Sequence, residues 1–152
     1  PLRRQRQMCI RDRISVAELF TDLKKLFPEE EFQFEAPSPE LKLNADRTQI
    51  EQVLINLLKN AREACNRKLD KNIQVKVKKL STGNTALTIS DNGEGILPDV
   101  LDKIFVPFFT TKTSGSGIGL SLCKQIMTLH EGSINVKSEV GKGSSFILTF
   151  PK

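Results

Sequence analysis

The chain has 152 residues, of which 38% are hydrophobic and 27% are charged, and it contains neither Trp nor Tyr. This length suffices for one domain with a hydrophobic core, and no apolar run approaches the roughly 20 residues of a membrane-spanning helix. Three cysteines without metal-ligand spacing argue against a disulfide or zinc framework and favour a reducing, cytoplasmic setting.

The net charge of +5 is concentrated at the N-terminus, because residues 1–13 hold five Arg and one Asp, a net +4. This run also resembles the translation of a sequencing adapter. We therefore expect residues 1–13 to be a non-native or disordered basic tail and residues 14–152 to form the domain. Since the rest of the chain carries a net charge of +1, its charge does not predict a nucleic-acid partner.

Hydrophobic periodicity and capping patterns predict helices and strands in runs. The predicted elements, in chain order, are a helix after Ser15, strands at 32–34 and 41–43, a long helix from Asp46 to about Lys68, strands at 73–77 and 86–90, a short helix over 98–105, a helix over 117–130, and strands at 134–136 and 146–150. Turns at 82–84 and 141–143 predict two antiparallel hairpins. Helices and hairpins in such runs predict an α+β fold, a two-layer α/β sandwich.

The long helix carries Asn56 and Asn60 four residues apart, so both amides lie on one face, away from the apolar stripe. Two such amide oxygens can serve a hard cation such as Mg²⁺, which prefers oxygen ligands and shares phosphate oxygens. The alternative is a pair of ordinary solvated amides on the helix surface.

Asp91 directly follows a strand of the buried type and is followed by Gly93 and Gly95. A carboxylate at a strand end can accept a hydrogen bond from an exocyclic amine such as that of adenine. The glycines would let backbone approach a flat base closely. The alternative is a plain Asp-Asn-Gly turn.

A glycine-rich run, Gly115, Gly117 and Gly119, leads into the last predicted helix. Such a loop at a helix N-terminus presents N–H groups and the positive end of the helix dipole to phosphate, and Lys112 adds a charge. The alternative is a flexible connection.

Ser144 is a weaker candidate, and three further residues are expected to be structural. Ser144 follows the turn at 141–143 and can reach a base edge directly or through water. His130, the single histidine, lies on the inward side of the last predicted helix, and we expect it to be packed and hydrogen-bonded and not to act as a base or phosphate acceptor. Cys65 and Cys123 lie on inward helix faces and are predicted to be small core residues.

Together and in this order, with the segment Phe-Val-Pro-Phe-Phe-Thr-Thr-Lys at 105–112 between the second and third, these motifs resemble the ATP-binding catalytic domain of bacterial sensor histidine kinases. The resemblance covers about Ile14 to Lys152. It extends to the superfamily of gyrase, heat-shock chaperone and mismatch-repair ATPases. It implies a sandwich of Bergerat type, in which helices cover one face of a mixed, mostly antiparallel sheet and ATP lies under a mobile lid.

The resemblance also implies roles for individual residues. Asn60 would ligate Mg²⁺ and Asn56 would order the ion and the phosphates, which makes them the expected catalytic pair. The other expected nucleotide contacts are Asp91, Gly93 and Gly95 at adenine, Ser144 at the base edge, Ile96 and Leu120 in the pocket wall, and Lys112, Gly115, Gly117 and Gly119 at the lid and phosphates. Phe108 and Phe109 are expected to anchor the lid.

Two departures from the family pattern bear on the chemistry. Hydrolytic members of the superfamily place a water-activating glutamate one helical turn before the metal-binding Asn, where this chain has Asn56. An amide is no general base, so we expect weak hydrolysis and transfer to a histidine. Glu63 stands where many kinases of the family have a phosphate-binding basic residue, which leaves Glu63 and the neighbouring Arg62 without an assigned role.

The expected cofactors are ATP and Mg²⁺. The resemblance implies that the γ-phosphate passes to a histidine on an N-terminal helical dimerisation domain and then to an aspartate on the receiver domain of a response regulator. We expect this fragment to be monomeric and cytoplasmic, and the full protein to be a homodimer that a membrane segment elsewhere in the protein can anchor.

Three other functions stay open from the sequence. A stand-alone serine kinase of the anti-sigma-factor type shares the fold and the asparagine pair but lacks the lid segment. A hydrolytic ATPase conflicts with the amide at Asn56. A basic binding module without enzymatic activity would rest on the N-terminal tail alone.

Overall fold

The computed structural model of the chain describes residues 11–35, 37–109 and 119–152. The elements are β1 (Asp12–Ser15), α1 (Val16–Leu26), β2 (Phe32–Phe34), β3 (Lys42–Ala45), α2 (Arg47–Ala64), β4 (Ile73–Lys79), β5 (Thr85–Asp91), α3 (Pro98–Leu101), α4 (Gly119–Leu129), β6 (Ser133–Glu139) and β7 (Gly143–Phe150). Each predicted helix and strand has a counterpart, and β1 is an addition. None of these helices has the length and hydropathy that crossing a bilayer requires.

The main sheet has five strands in the order β2-β4-β5-β7-β6. The β2–β4 pair is parallel and the other three pairs are antiparallel, which makes the sheet mixed and mostly antiparallel. The strands predicted at 32–34 and 41–43 lie in different sheets, because β3 pairs with β1 in a separate two-stranded sheet. Since β1 starts at Asp12, regular structure begins two residues before the predicted boundary at Ile14; the foreign origin of residues 1–13 stays a prediction.

Ser15 and Asp46 are the N-cap residues of α1 and α2. The N–H of Glu18 donates to Ser15 Oγ at 3.2 Å, and the N–H of Gln49 donates to the Asp46 side chain at 3.2 Å. Helix α2 ends at Ala64, four residues before the predicted end at Lys68. The cause is tertiary, because the Ala64 carbonyl accepts from the N–H of Glu94 in the loop after β5 instead of continuing the helix.

The hydrophobic core lies between the helices and one face of the main sheet. Leu87, Ile89, Phe146 and Leu148 on that face of β5 and β7 are buried, whereas Thr88 and Ile147 on the opposite face are half-exposed. Helices α2 and α4 both contribute side chains to this core. They are Ile50, Val53, Leu54, Leu57, Leu58 and Ala61 on α2, and Cys123, Ile126 and Met127 on α4. Leu122 is 37% exposed, because it lies off the stripe that 123, 126, 127 and 130 form.

His130 is packed as predicted and is 2% exposed. Its Nδ1 donates to the Ile126 carbonyl at 2.8 Å, and its Nε2 accepts from the N–H of Asp46 at 3.0 Å. The ring therefore joins the C-terminal end of α4 to the residue that caps α2. Cys65 and Cys123 are also buried, as predicted.

The loop after β5, residues 92–97, is held by close backbone contact with two neighbours. A Cβ at Gly93 would overlap the carbonyl oxygen of Ala64 and lie 2.6 Å from its carbonyl carbon. A Cβ at Gly95, where φ is +79°, would overlap the backbone of Glu139. The space expected for a base beside these two glycines is thus partly filled by the chain's own backbone.

The β6–β7 turn contacts the same loop from the other side. The N–H of Gly141 donates to the Glu94 carbonyl at 2.8 Å. At Gly143, φ is +129° and a Cβ would lie 2.9 Å from the Asp91 carbonyl carbon and closer still to its oxygen. At Gly141, φ is +84° but a Cβ would meet nothing within 4 Å.

We expect Gly143→Ala to lower the free energy of unfolding by more than about 3 kcal/mol, because the new methyl group overlaps backbone that cannot move aside. Gly141→Ala is the matched control, and its left-handed backbone should cost about 1–2 kcal/mol without a clash. Urea unfolding followed by circular dichroism measures both. Equal losses in the two variants would contradict the close contact at Gly143.

We expect His130→Ala to lower the free energy of unfolding by about 2–4 kcal/mol, because it leaves the Asp46 N–H without its acceptor and opens a cavity. Thr128→Ala, an exposed change on the same helix, should alter it by less than about 0.5 kcal/mol. Urea unfolding at neutral pH compares them. Similar values for both variants would show that the histidine does not join α4 to α2.

Candidate functional site

A row of three polar side chains continues the core-facing side of the main sheet. Asp91 lies opposite Ser144 on β7, and Ser144 lies opposite Ser138 on β6. Because side chains alternate along a strand, all three point to the same side as the buried residues Ile89 and Phe146. The row therefore forms a polar end to the layer between sheet and helices.

The Asp91 carboxylate accepts hydrogen bonds from backbone on two sides. Its Oδ1 accepts from the N–H of Gly93 at 2.9 Å, and the backbone N–H of Ser144 also donates to the carboxylate. Burial raises the pKa of Asp91 above its ordinary value, and the two N–H groups offset part of that rise. The residue is half-buried, so the carboxylate retains acceptor capacity for an amine that enters from the open side.

Ser138 was not predicted from the sequence, yet it connects the loop to the hairpin. Its Oγ accepts from the N–H of Ile96 at 2.7 Å, donates to the Gly143 carbonyl at 3.1 Å and lies 2.9 Å from Ser144 Oγ. The signal that could have found it is the hairpin register, which places Ser138 opposite Ser144 once the turn is fixed at 140–142. Ser144 itself is buried.

The side chain of Asn56 joins α2 to the start of α4. Its Oδ1 accepts from Gln52 Nε2 at 2.9 Å, and its Nδ2 donates to the Gly119 carbonyl at 3.4 Å. The same Nδ2 lies 3.9 Å from Cys123 Sγ, and burial raises the pKa of the Cys123 thiol to about 11. The structure thus brings two sequence-predicted site residues, Asn56 and Gly119, into contact.

Asn60 lies one helical turn after Asn56 and is half-buried. Within the described part of the chain, no group of three His, Cys, Asp or Glu side chains could hold a metal ion. A cation here would therefore need amide oxygens completed by phosphate and water, a ligand set that Mg²⁺ accepts and Zn²⁺ does not favour.

The remaining predicted site residues fall into two groups. Ile96 and Leu120 are partly buried and pack against the core, so they lie where a pocket wall would be. Lys112, Gly115 and Gly117 lie outside the described residues.

The anchoring of the lid by Phe108 and Phe109 stays a prediction, because residues 110–118 lie outside the described residues. Phe108 is 77% exposed and has a positive φ of 68°. Phe105 packs against the core instead, with Lys124 Nζ of α4 at 5.6 Å from its ring centroid. Phe109 is half-buried.

Arg62 is engaged with the opposite edge of the sheet. Its Nη2 lies 2.8 Å from Glu29 Oε1, and its guanidinium stacks over Phe27 and Phe32 at 4.9 and 5.3 Å. These contacts give Arg62 a structural role and argue against a phosphate contact.

The chain matches a family model and several curated proteins. The model of histidine kinase-, DNA gyrase B- and HSP90-like ATPases matches residues 45–152. The sensor histidine kinase ZraS of Salmonella typhimurium is 40% identical over 121 residues, which are 80% of this chain and 26% of ZraS. The signal transduction histidine-protein kinase AtoS of Escherichia coli is 43% identical over 109 residues, which are 72% of this chain and 18% of AtoS. The chain thus spans about a quarter or less of the length of these relatives.

Solved structures agree with these matches. The nucleotide-free catalytic domain of the histidine kinase ThkA matches with a TM-score of 0.82 and 35% identity, over 94% of this chain and 96% of that domain. ThkA in complex with the response regulator TrrA matches with a TM-score of 0.76 and 33% identity, over 93% of this chain and 42% of that one. The predicted fold class and the predicted resemblance are confirmed, and the chain belongs to the family of histidine kinase-, DNA gyrase B- and HSP90-like ATPases.

Proposed function

We propose that this chain is the ATP-binding catalytic domain of a sensor histidine kinase. It would transfer the γ-phosphate of ATP to a histidine on a separate helical dimerisation domain, from which the phosphoryl group passes to the aspartate of a response regulator. Membership of an ATPase family implies ATP binding, and the identity to ZraS and AtoS favours this class over a stand-alone serine kinase. The observation that carries the proposal is the Asp91 carboxylate at the polar end of the core.

The adenine end of the site would be built on Asp91. Its carboxylate is fixed by two backbone N–H donors and would accept from the exocyclic amine of adenine. Gly93 and Gly95 hold the loop close to the backbone of Ala64 and Glu139, and Gly95 would lie near the base by the family resemblance. Ile96 and Ser144 would complete this end of the pocket.

The phosphate end would be built on α2 and the start of α4. Asn60 would ligate Mg²⁺, which neutralises phosphate charge when it is bound. Asn56 would order the phosphates, and its contact with the Gly119 carbonyl holds the start of α4 beside it. Gly119 and Leu120 would present N–H groups of that helix start to phosphate. By the family resemblance, Lys112, Gly115 and Gly117 would also contact the phosphates.

The site would favour transfer over hydrolysis. Asn56 and Asn60 are amides, which cannot take a proton from water at neutral pH. Transfer of a phosphoryl group depends mostly on positioning and charge neutralisation, which amides, glycine N–H groups and a cation can supply. ATP would therefore persist until an acceptor histidine is placed beside its γ-phosphate.

The acceptor histidine and the response regulator would come from outside this chain. The complex of ThkA with TrrA is a precedent for the second partner in that protein. We infer that the isolated domain is monomeric, that the whole protein dimerises through the acceptor domain, and that the domain works in the cytoplasm.

Asp91→Asn should weaken binding of a non-hydrolysable ATP analogue by about 10- to 100-fold, because a charge-assisted hydrogen bond contributes roughly 1.5–3 kcal/mol. Calorimetric titration of the chain, with and without Mg²⁺, measures this. Asp22→Asn is the control, since Asp22 pairs with Arg47 on the surface of α1, and it should bind like the unmodified chain.

Two outcomes would contradict this proposal. If the unmodified chain does not bind the analogue, the proposed kinase activity is contradicted and only the fold assignment remains. If it binds but Asp91→Asn binds equally well, the adenine end has been placed wrongly. Loss of the Mg²⁺ dependence in Asn60→Ala would add support for the phosphate end.

The raised pKa of Asp91 predicts a pH dependence of stability. Burial favours the protonated carboxyl, so ionised Asp91 costs stability. That cost is absent below the ordinary Asp pKa of about 3.9 and grows as pH rises through the higher folded value. The free energy of unfolding of the unmodified chain minus that of Asp91→Asn should therefore fall as the pH rises above about 3.9 and level off above the folded pKa. Urea unfolding at several pH values measures it, and a difference that rises with pH would mean a lowered pKa.

A further inference from the structure

The hydrogen-bonding capacity of Ser138 is used completely. A serine hydroxyl has one proton and two lone pairs. Ser138 Oγ accepts from the N–H of Ile96 at 2.7 Å and donates its proton to the Gly143 carbonyl at 3.1 Å. One lone pair is left for the contact with Ser144 Oγ at 2.9 Å.

This count decides the direction of the contact between the two serines. Because a carbonyl oxygen can only accept, we assign the single Ser138 proton to Gly143, and Ser144 then donates in the 2.9 Å contact. The Ser144 hydroxyl then presents lone pairs alone to any other group. Ser144 lies directly beside Asp91, to whose carboxylate its N–H donates, so two acceptors stand side by side on the core-facing side of the sheet.

We propose that Ser138 is a positioning residue for nucleobase selection, because it holds the Ser144 hydroxyl as an acceptor beside Asp91. The inference rests on the proposed ATP site. A base with an exocyclic amine, such as adenine, offers a donor to this pair of acceptors. A base with a keto oxygen at that position, such as hypoxanthine, offers an acceptor and is repelled.

Removing the Ser138 hydroxyl should reverse this arrangement locally. The Ser144 proton loses its acceptor and can turn toward the base, where it can donate to a keto oxygen. The N–H of Ile96 also loses its partner. The same substitution therefore predicts weaker selection for adenine together with faster hydrogen exchange at one named amide.

The opposite face of the sheet supplies a matched control. Ser90 and Ser145 are cross-strand partners whose hydroxyls lie 2.8 Å apart. Because they alternate with Asp91 and Ser144 along their strands, they point away from the polar row. Ser145→Ala removes a serine pair of the same kind without touching the proposed site.

The experiment measures binding of ADP and of inosine diphosphate, which differ in the base and cannot donate a γ-phosphate. Calorimetry gives both dissociation constants for the unmodified chain, Ser138→Ala and Ser145→Ala. We expect the unmodified chain and Ser145→Ala to prefer ADP over inosine diphosphate by the same ratio of dissociation constants. In Ser138→Ala this ratio should be about tenfold smaller, which corresponds to the loss of one hydrogen bond. Hydrogen exchange without nucleotide should be faster at Ile96 in Ser138→Ala alone.

Each contrary result has a separate meaning. The inference about Ser138 is overturned if Ser138→Ala keeps the full preference for ADP, or if Ser145→Ala loses as much of it. In either case, binding of ADP by the unmodified chain would leave the proposed function unaffected. Failure of the unmodified chain to bind ADP overturns both. Urea midpoints of the two variants check that each is folded, and a larger shift is expected for Ser138→Ala, because Ser138 Oγ has three hydrogen-bond partners whereas Ser145 Oγ has one.

Discussion

The close backbone contact of the loop after β5 with its two neighbours is the constraint on which the site depends. Gly93 lies against the last carbonyl of α2, Gly95 lies against Glu139, and Gly143 lies against Asp91. No Cβ fits at any of these contacts. They bring the end of a strand, the end of a helix and the turn of a hairpin to one place, and the Asp91 carboxylate is held at their meeting point by N–H groups that these contacts position.

Stability and binding are in conflict at Asp91. The carboxylate continues the core-facing side of β5 beyond Ile89, so folding buries a charge that water would solvate better. Its raised pKa records that cost. The backbone donors reduce the cost without removing it, which leaves an acceptor that a ligand amine can satisfy. A carboxylate at the end of a hydrophobic layer keeps this unused acceptor capacity because the core already excludes water from one side of it.

Helix α2 has two separate tasks on two faces. Its apolar stripe fills the core over the sheet, and its polar edge carries Asn56 and Asn60. The amide of Asn56 reaches across to the Gly119 carbonyl, so the helix that packs the core also sets the position of the start of α4. His130 joins the other end of α4 to the residue that caps α2. Helix α4 is thus held to α2 by one polar contact at each of its ends, through Gly119 and through His130.

Local patterns in the sequence determined every element except β1, the helix caps at Ser15 and Asp46, and the motifs around Asn56 and Asp91. They could do so because periodicity and capping depend on residues within a turn or two of each other. Tertiary structure decided the rest. The early end of α2 at Ala64, the separate β1–β3 sheet and the exposure of Phe108 depend on partners far along the chain. The role of Ser138 and the packing reason for Gly93 also emerge only when strand register and backbone contacts are known, since a pattern of residue types records which groups are present but not which distant backbone each of them meets.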